Sequence, residues 1–206
     1  MHPEIFDKSQ IELWPHLTTF KRSFYLVGGT AIALHLGHRR SLDFDLFSPA
    51  PLTKHRIKGK LLQFPFKQVP VFEDFDQLHL QINNIKVTFF HFPYLIQHPV
   101  KLDSVITMPT LLTLASMKAF ALGRRAKWKD YVDLFFILKY HYTIQEVCLE
   151  TEMNFGSQFS GKLFREQLAF HKDIDHSEPI DYLVPPVPED EIKKFLIDTA
   201  TDIDLF

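Results

Sequence analysis

Residues 24–48 read FYLVGGTAIALHLGHRRSLDFDLFS. Phe24-Tyr25-Leu26-Val27 is an apolar run rich in strand formers. Gly28-Gly29 ends it, and Thr30 is placed to cap the helix that follows. Ala31–Leu36 is a short helical stretch, and Gly37 is a C-terminal stop signal. After a basic turn, Leu42–Leu46 alternates apolar and acidic residues at period two, which on a strand turns Asp43 and Asp45 to one face. The stretch therefore reads as strand, glycine turn, helix, basic turn, strand.

Two carboxylates on one strand face repel each other unless a positive charge sits with them. Mg²⁺ or Mn²⁺ suits such a pair, because a hard cation takes one or two carboxylates plus substrate phosphates. The Gly28-Gly29-Thr30 turn leads into a helix N-terminus, where backbone N–H groups and the helix dipole attract phosphate. Each half alone fits an ordinary glycine turn or a solvated surface strand. Together, at this spacing, they point to a metal and a nucleoside triphosphate. Arg39 and Arg40, just before the acidic strand, are candidate contacts for phosphates or partners for nearby acids, with a plain solvated turn as the alternative.

GGT followed by the Asp43-Phe44-Asp45 pair resembles the signature of the DNA polymerase beta-type nucleotidyltransferase fold. The fuller string, GGTAIALHLGHRRSLDFDLFS, resembles the AbiEii/AbiGii toxin-type nucleotidyltransferases, a bacterial family, and the likeness extends over roughly residues 20–140. A later block, 109–140, resembles a further motif of that family: a lysine on one helix, an arginine-rich turn over Gly123–Lys127, then Asp-x-x-Asp opening the next helix. Lys118, Asp130 and Asp133 match it. The resemblance gives Lys118 the task of neutralising triphosphate charge. It puts Asp130 at the site as metal ligand, base or partner of Lys118, and leaves Asp133 a structural part. Read without the resemblance, Lys118 and Asp130 form an ion pair locking two helices. The resemblance further implies a metal-dependent transferase that moves an NMP from a nucleoside triphosphate to an acceptor hydroxyl, with RNA such as tRNA as acceptor. It also implies a cognate antitoxin protein as partner.

One feature departs from the broad pattern. A third acidic residue is expected on a strand after the Asp pair, yet Ile85–Phe90 holds none and has Thr88 at that place. Glu73 or Asp74 is the candidate substitute, and neighbouring His91 reads as structural. The missing carboxylate keeps two other readings open: a nucleotide- or protein-binding module that lost turnover, and a kinase-like toxin of the same fold.

The remaining chain bounds these readings. It has 206 residues, 46% hydrophobic and 23% charged, an ordinary globular composition with 21 Phe for its core. No apolar run reaches the about 20 residues a membrane helix needs. The N-terminus lacks the form of a signal peptide, so the expected location is cytoplasmic. Cys148 is the sole cysteine, which excludes an internal disulfide. Residues 1–140 hold 18 Lys+Arg and 11 Asp+Glu, whereas 141–206 hold 5 and 14. A basic first part suits polyanionic substrates.

The expected fold is α/β (α+β): a small mixed sheet flanked by helices, followed by a helical C-terminal part. Residues 1–140 are expected to form the nucleotidyltransferase-like domain and 141–206 a helical extension. A helix is expected over 9–20, starting at Ser9 with Ile11, Trp14 and Leu17 inward and Pro15 interrupting it. A basic helix is expected within 49–62. Strands are expected at 67–73, 77–82 and 85–92, with Asn83-Asn84 as a hairpin turn and Val71, Leu78, Leu80, Ile82, Val87 and Phe89 in the core. A short strand at 104–108 precedes the helices of the later block. Further helices are expected at 143–153, 161–170 and 188–200. Asp173, Asp175 and His176 read as a polar turn rather than a metal site.

Overall fold

A computed structural model describes residues 1–122 and 124–202. The chain divides into two compact units, Met1–Thr110 and the part from Leu111 onward. The boundary thus falls at 110 rather than at the expected 140. The two helices of the later block group with the C-terminal helices instead of with the sheet.

In the first unit, α1 (Lys8–Leu13) is capped by Asp7, not by the expected Ser9. Asp7 and Gln10 form a reciprocal capping box, so two orphan backbone N–H groups are satisfied at once. Pro15 ends the α-helical pattern because it brings no N–H, and the chain continues as a 3-10 helix over Trp14–Phe20. Gln10, Leu13, Leu17 and Phe20 face inward, Leu17 as expected, whereas Ile11 is exposed, contrary to the helical-spacing expectation.

The sheet has five strands: β1 (Tyr25–Val27), β2 (Phe44–Ser48), β3 (Gln68–Glu73), β4 (Gln77–Ile82) and β5 (Ile85–His91). Their order is β1-β2-β5-β4-β3. β2 and β5 run parallel and every other pair is antiparallel, so the sheet is mixed. The β2–β5 crossover contains α3 (Lys54–Leu61) and the outer strands β3 and β4. The β4–β5 hairpin turns on Asn83 and Asn84 at φ 51° and 65°, a left-handed pair that Asn tolerates.

One sheet face is dry. Phe44, Leu46, Leu78, Leu80, Val87 and Phe89 are all buried, with Phe20 and Phe24 edge-on to Phe89. Val71 does not join them. It is 60% exposed on the edge strand β3, at a register shift between Pro70 and Phe72. An edge strand carrying a proline and a bulge resists pairing with other chains, but it gives up core contact. A separate two-stranded ladder, β6 (Val100–Leu102) with β7 (Ile106–Met108), completes the unit.

The second unit is helical: α4 (Leu111–Leu122), α5 (Trp128–Tyr140), α6 (Ile144–Phe155), α7 (Gly161–Ala169) and α8 (Glu189–Thr201). α4 packs on α6 through stacked Phe120 and Phe155, and α5 meets α8 through Phe135 and Phe195. Thr143 and Glu146 cap α6 reciprocally. No helix among the described residues is long and apolar enough to cross a membrane.

Candidate active site

In the first unit, the site is built where β1 passes into α2 (Gly28–Leu36). The helix begins at Gly28, three residues earlier than expected, with Val27 at the capping position. Thr30 is therefore inside the first turn and does not cap it. Its buried hydroxyl lies against the carbonyls of Ser41 and Asp43, at 3.3 Å from the former and closer to the latter. That contact fastens the helix start to the approach of β2.

Gly28 has φ +75°, a conformation L side chains seldom adopt. A Cβ there would stand 2.2 Å from Oδ2 of Asp45. The carboxylate consequently rests directly against the glycine turn, and only glycine leaves it room. Asp43 precedes the strand and Asp45 lies within it, both half-exposed, whereas the alternate residues Phe44, Leu46 and Ser48 are buried. The period-two pattern thus separates a carboxylate face from a core face.

The row across that face is defined by register. Val27 pairs with Asp45, Asp45 with Thr88, and Thr88 with His79. Thr88, 7% exposed, occupies the place beside Asp45 where a third carboxylate was sought. The candidate substitutes are engaged elsewhere. Glu73, on β3, pairs with Lys58 at 2.6 Å and is held below the usual carboxylate range, chiefly by that bond. Asp74 accepts from the backbone N–H of Asp76 and Gln77 in the β3–β4 turn. His91 is bonded to Asp76 at 2.8 Å, a structural contact. Burial lowers the pKa of His79, the row's outer member.

The two arginines differ. Arg39 is 1% exposed, its Nη1 donating to the carbonyl of Arg40 at 2.9 Å. Its guanidinium lies under the turn, since a Cβ on Gly29 would be 2.8 Å from Nη2 and 3.0 Å from the Ser41 hydroxyl. Arg40 is half-buried and reaches the carbonyls of Glu4 and Ile5 at 3.4 Å each.

The donor set suits a hard divalent cation. Asp43 and Asp45 supply carboxylate oxygens, and the neighbouring helix N-terminus offers N–H groups to phosphate. Among the described residues no group of three or more His, Cys, Asp or Glu is placed to hold a metal.

In the second unit, Lys118 of α4 sits between two aspartates of α5. Its ammonium contacts Asp130 closely and Asp133 at 3.0 Å. Lys118, Asp130 and Asp133 are 6%, 2% and 0% exposed. Arg125 adds a bond to Asp130 at 3.1 Å from the solvent side. The three-residue spacing of Asp130 and Asp133 puts both carboxylates on one helix side, as α-helical geometry requires. Gly123, part of the expected arginine-rich turn, lies outside the described residues. Asp175 and His176 form a junction with Trp128: the Asp175 carbonyl accepts from the Trp128 backbone N–H, and the His176 ring stacks on Trp128.

A mixed sheet with a glycine turn, a helix start and an Asp-x-Asp strand is the nucleotidyltransferase fold. Within that class, the chain belongs to the family described as nucleotidyl transferase AbiEii toxin, type IV TA system, whose profile matches residues 16–205. Among solved structures it is similar to MenT4, a nucleotidyltransferase toxin from Mycobacterium tuberculosis H37Rv. That match has a TM-score of 0.65 and 15% identity, over 95% of this chain and 83% of that one. It is also similar to JHP933 from Helicobacter pylori, with a TM-score of 0.51 and 13% identity over 82% and 77% of the two chains. At these identities the likeness is one of fold. A relative from Aquifex aeolicus (strain VF5), an uncharacterized protein, is 33% identical over 122 residues, or 57% of this chain. The match spans 59% of that curated relative's length.

Proposed function

We propose that this chain transfers a nucleoside monophosphate from a nucleoside triphosphate to an acceptor hydroxyl. The acceptor oxygen bonds to the α-phosphorus, the α–β bridging bond breaks, pyrophosphate leaves and the hydroxyl proton is released. The observation that carries this reading is the Asp45 carboxylate seated against Gly28, where a side chain would collide at 2.2 Å. A backbone without Cβ beside a half-exposed carboxylate gives a triphosphate close approach to both amide and metal-binding groups.

Asp43 and Asp45 would hold Mg²⁺ or Mn²⁺, which supplies charge stabilisation at phosphoryl oxygens when bound. The chain's own part is to present the amides of Gly28, Gly29 and Thr30 and to fix the carboxylate strand through the Thr30 hydroxyl. By resemblance, Lys118 and Asp130 belong to the family's later motif; their ion pair, buried and closed by Asp133, supports a structural role for both in the helical unit. Family membership supports an antitoxin partner. An RNA acceptor such as tRNA and action in the cytoplasm complete the proposal, and the basic first part of the chain suits a polyanionic acceptor.

Thr88 in the third-carboxylate place favours a second reading, a nucleotide-binding module without turnover. Incubation with Mg²⁺, cellular RNA and each nucleoside triphosphate, in parallel α- and γ-labelled sets, separates the readings. Label from the α-position entering RNA supports nucleotidyl transfer. Label from the γ-position alone means a kinase, and binding without transfer means the module.

A further inference from the structure

Arg39 was expected to touch phosphate, but its burial argues for another task. We infer that Arg39 is a positioning residue: its guanidinium is a strut beneath the Gly28-Gly29 turn that sets the turn's height against the carboxylate strand. This inference rests on the nucleotidyltransferase reading and adds to it how the site is held.

Three observations carry it. First, a guanidinium 1% exposed touches the protein, not a ligand arriving from solvent. Arginine is seldom buried so completely unless its donors are used. Second, consecutive glycines are each in contact with a charged group. The carboxylate of Asp45 lies against Gly28, and the guanidinium of Arg39 lies against Gly29. Third, the same side chain reaches forward, with Nη1 donating to the Arg40 carbonyl in the segment that leads to Asp43. Ser41 joins both ends: its hydroxyl is beside Gly29, and its carbonyl accepts from Thr30 and Gln10. One planar fork therefore spans the two chain segments whose spacing defines the site. Lysine carries the same charge without the fork and cannot span them.

The role makes a distinctive prediction. A residue that touches phosphate changes nucleotide affinity, whereas a strut changes how well bound groups are aligned. Arg39→Lys is expected to lower kcat at least about tenfold, as small misplacements do. The KM for nucleotide, and its dissociation constant by calorimetry with Mn²⁺, are expected to stay within about twofold, since direct binding contacts are kept. Gly29→Ala supplies a second route that leaves the arginine in place. Its Cβ presses on Nη2 and is expected to depress kcat as Arg39→Lys does. In the double variant the clash with Nη2 is removed and only the milder 3.0 Å approach to the Ser41 hydroxyl remains, so kcat should lie near that of the Arg39→Lys single variant rather than at the product of the two losses.

The inference is overturned if Arg39→Lys raises KM with kcat unchanged, if it turns over like the wild type, or if the two losses multiply. Failure of the underlying reading is a different result, in which the wild-type protein neither binds nor turns over nucleotide.

Discussion

The protein holds two sets of charges in opposite ways. In the helical unit, Lys118, Asp130 and Asp133 are buried and complete one another, with Arg125 covering the outer side. In the sheet unit, Asp43 and Asp45 stay half-exposed, and the Asp45 carboxylate is seated against Gly28. Ions buried together cost desolvation and must be matched by the protein. Carboxylates kept at the surface stay within reach of a cation arriving from solvent. The contrast separates a charge cluster that holds helices together from one arranged to receive a ligand.

Breaking the buried cluster should have the largest effect on stability. Lys118→Met removes the cation shared by Asp130 and Asp133 and leaves Arg125 on Asp130 alone, and removal of one partner from a buried pair costs about 3–5 kcal/mol. Urea unfolding monitored by circular dichroism checks this. A loss below about 1 kcal/mol would show that the cluster is solvated and that the contrast fails.

In the sheet unit, Gly28→Ala should act on activity more than on stability. The new methyl must displace the Asp45 carboxylate, and a left-handed φ at a non-glycine residue costs about 1–3 kcal/mol. Nucleotidyl transfer measured beside the melting temperature should show the larger loss in rate. Unchanged transfer would mean that the position of Asp45 does not matter.

These two substitutions also mark what was legible in the sequence. The Asp43–Asp45 alternation was readable because period two requires it, and Phe44 and Leu46 are buried as the pattern demands. The β4–β5 hairpin was readable because Asn83 and Asn84 accept left-handed φ. Val71 was misread because its valine-rich strand looks the same at an edge as at a centre, and strand order is a tertiary property. Ser9 was a reasonable cap, but Asp7 has the Gln10 partner that closes the reciprocal bond. The placement of α4 and α5 was lost because their apolar pattern does not say which neighbour covers it. The burial of Arg39 left no signal: an arginine in a turn reads as solvated or as a phosphate contact, and only the packing of Gly29 and Ser41 shows it buried.

The smallest expected effect sharpens the contrast from the solvated side. Hydrogen bonds from Lys127 and then Lys129 hold the Glu178 carboxyl down at about 2. Its folded pKa lies below the unfolded value, so its stabilisation is present above about pH 4.5 and is lost as pH falls toward 2. Because Glu178 is 41% exposed, screening limits the contribution to less than about 1 kcal/mol. The melting-temperature gap between wild type and Glu178→Gln should be small at pH 7 and close on acidification. A gap that widens at low pH would reverse the assignment.

The central claim is that the half-exposed carboxylate pair performs the chemistry. Its most direct test is α-label transfer by Asp43→Asn with Asp45→Asn, measured on the same sample as its melting temperature. The account predicts transfer reduced by at least about a thousandfold, a loss on the scale of removing a main electrostatic contribution to a reaction. The melting temperature should stay within about 4 °C of wild type, equivalent to at most about 1 kcal/mol. Full transfer by the folded double variant would contradict it.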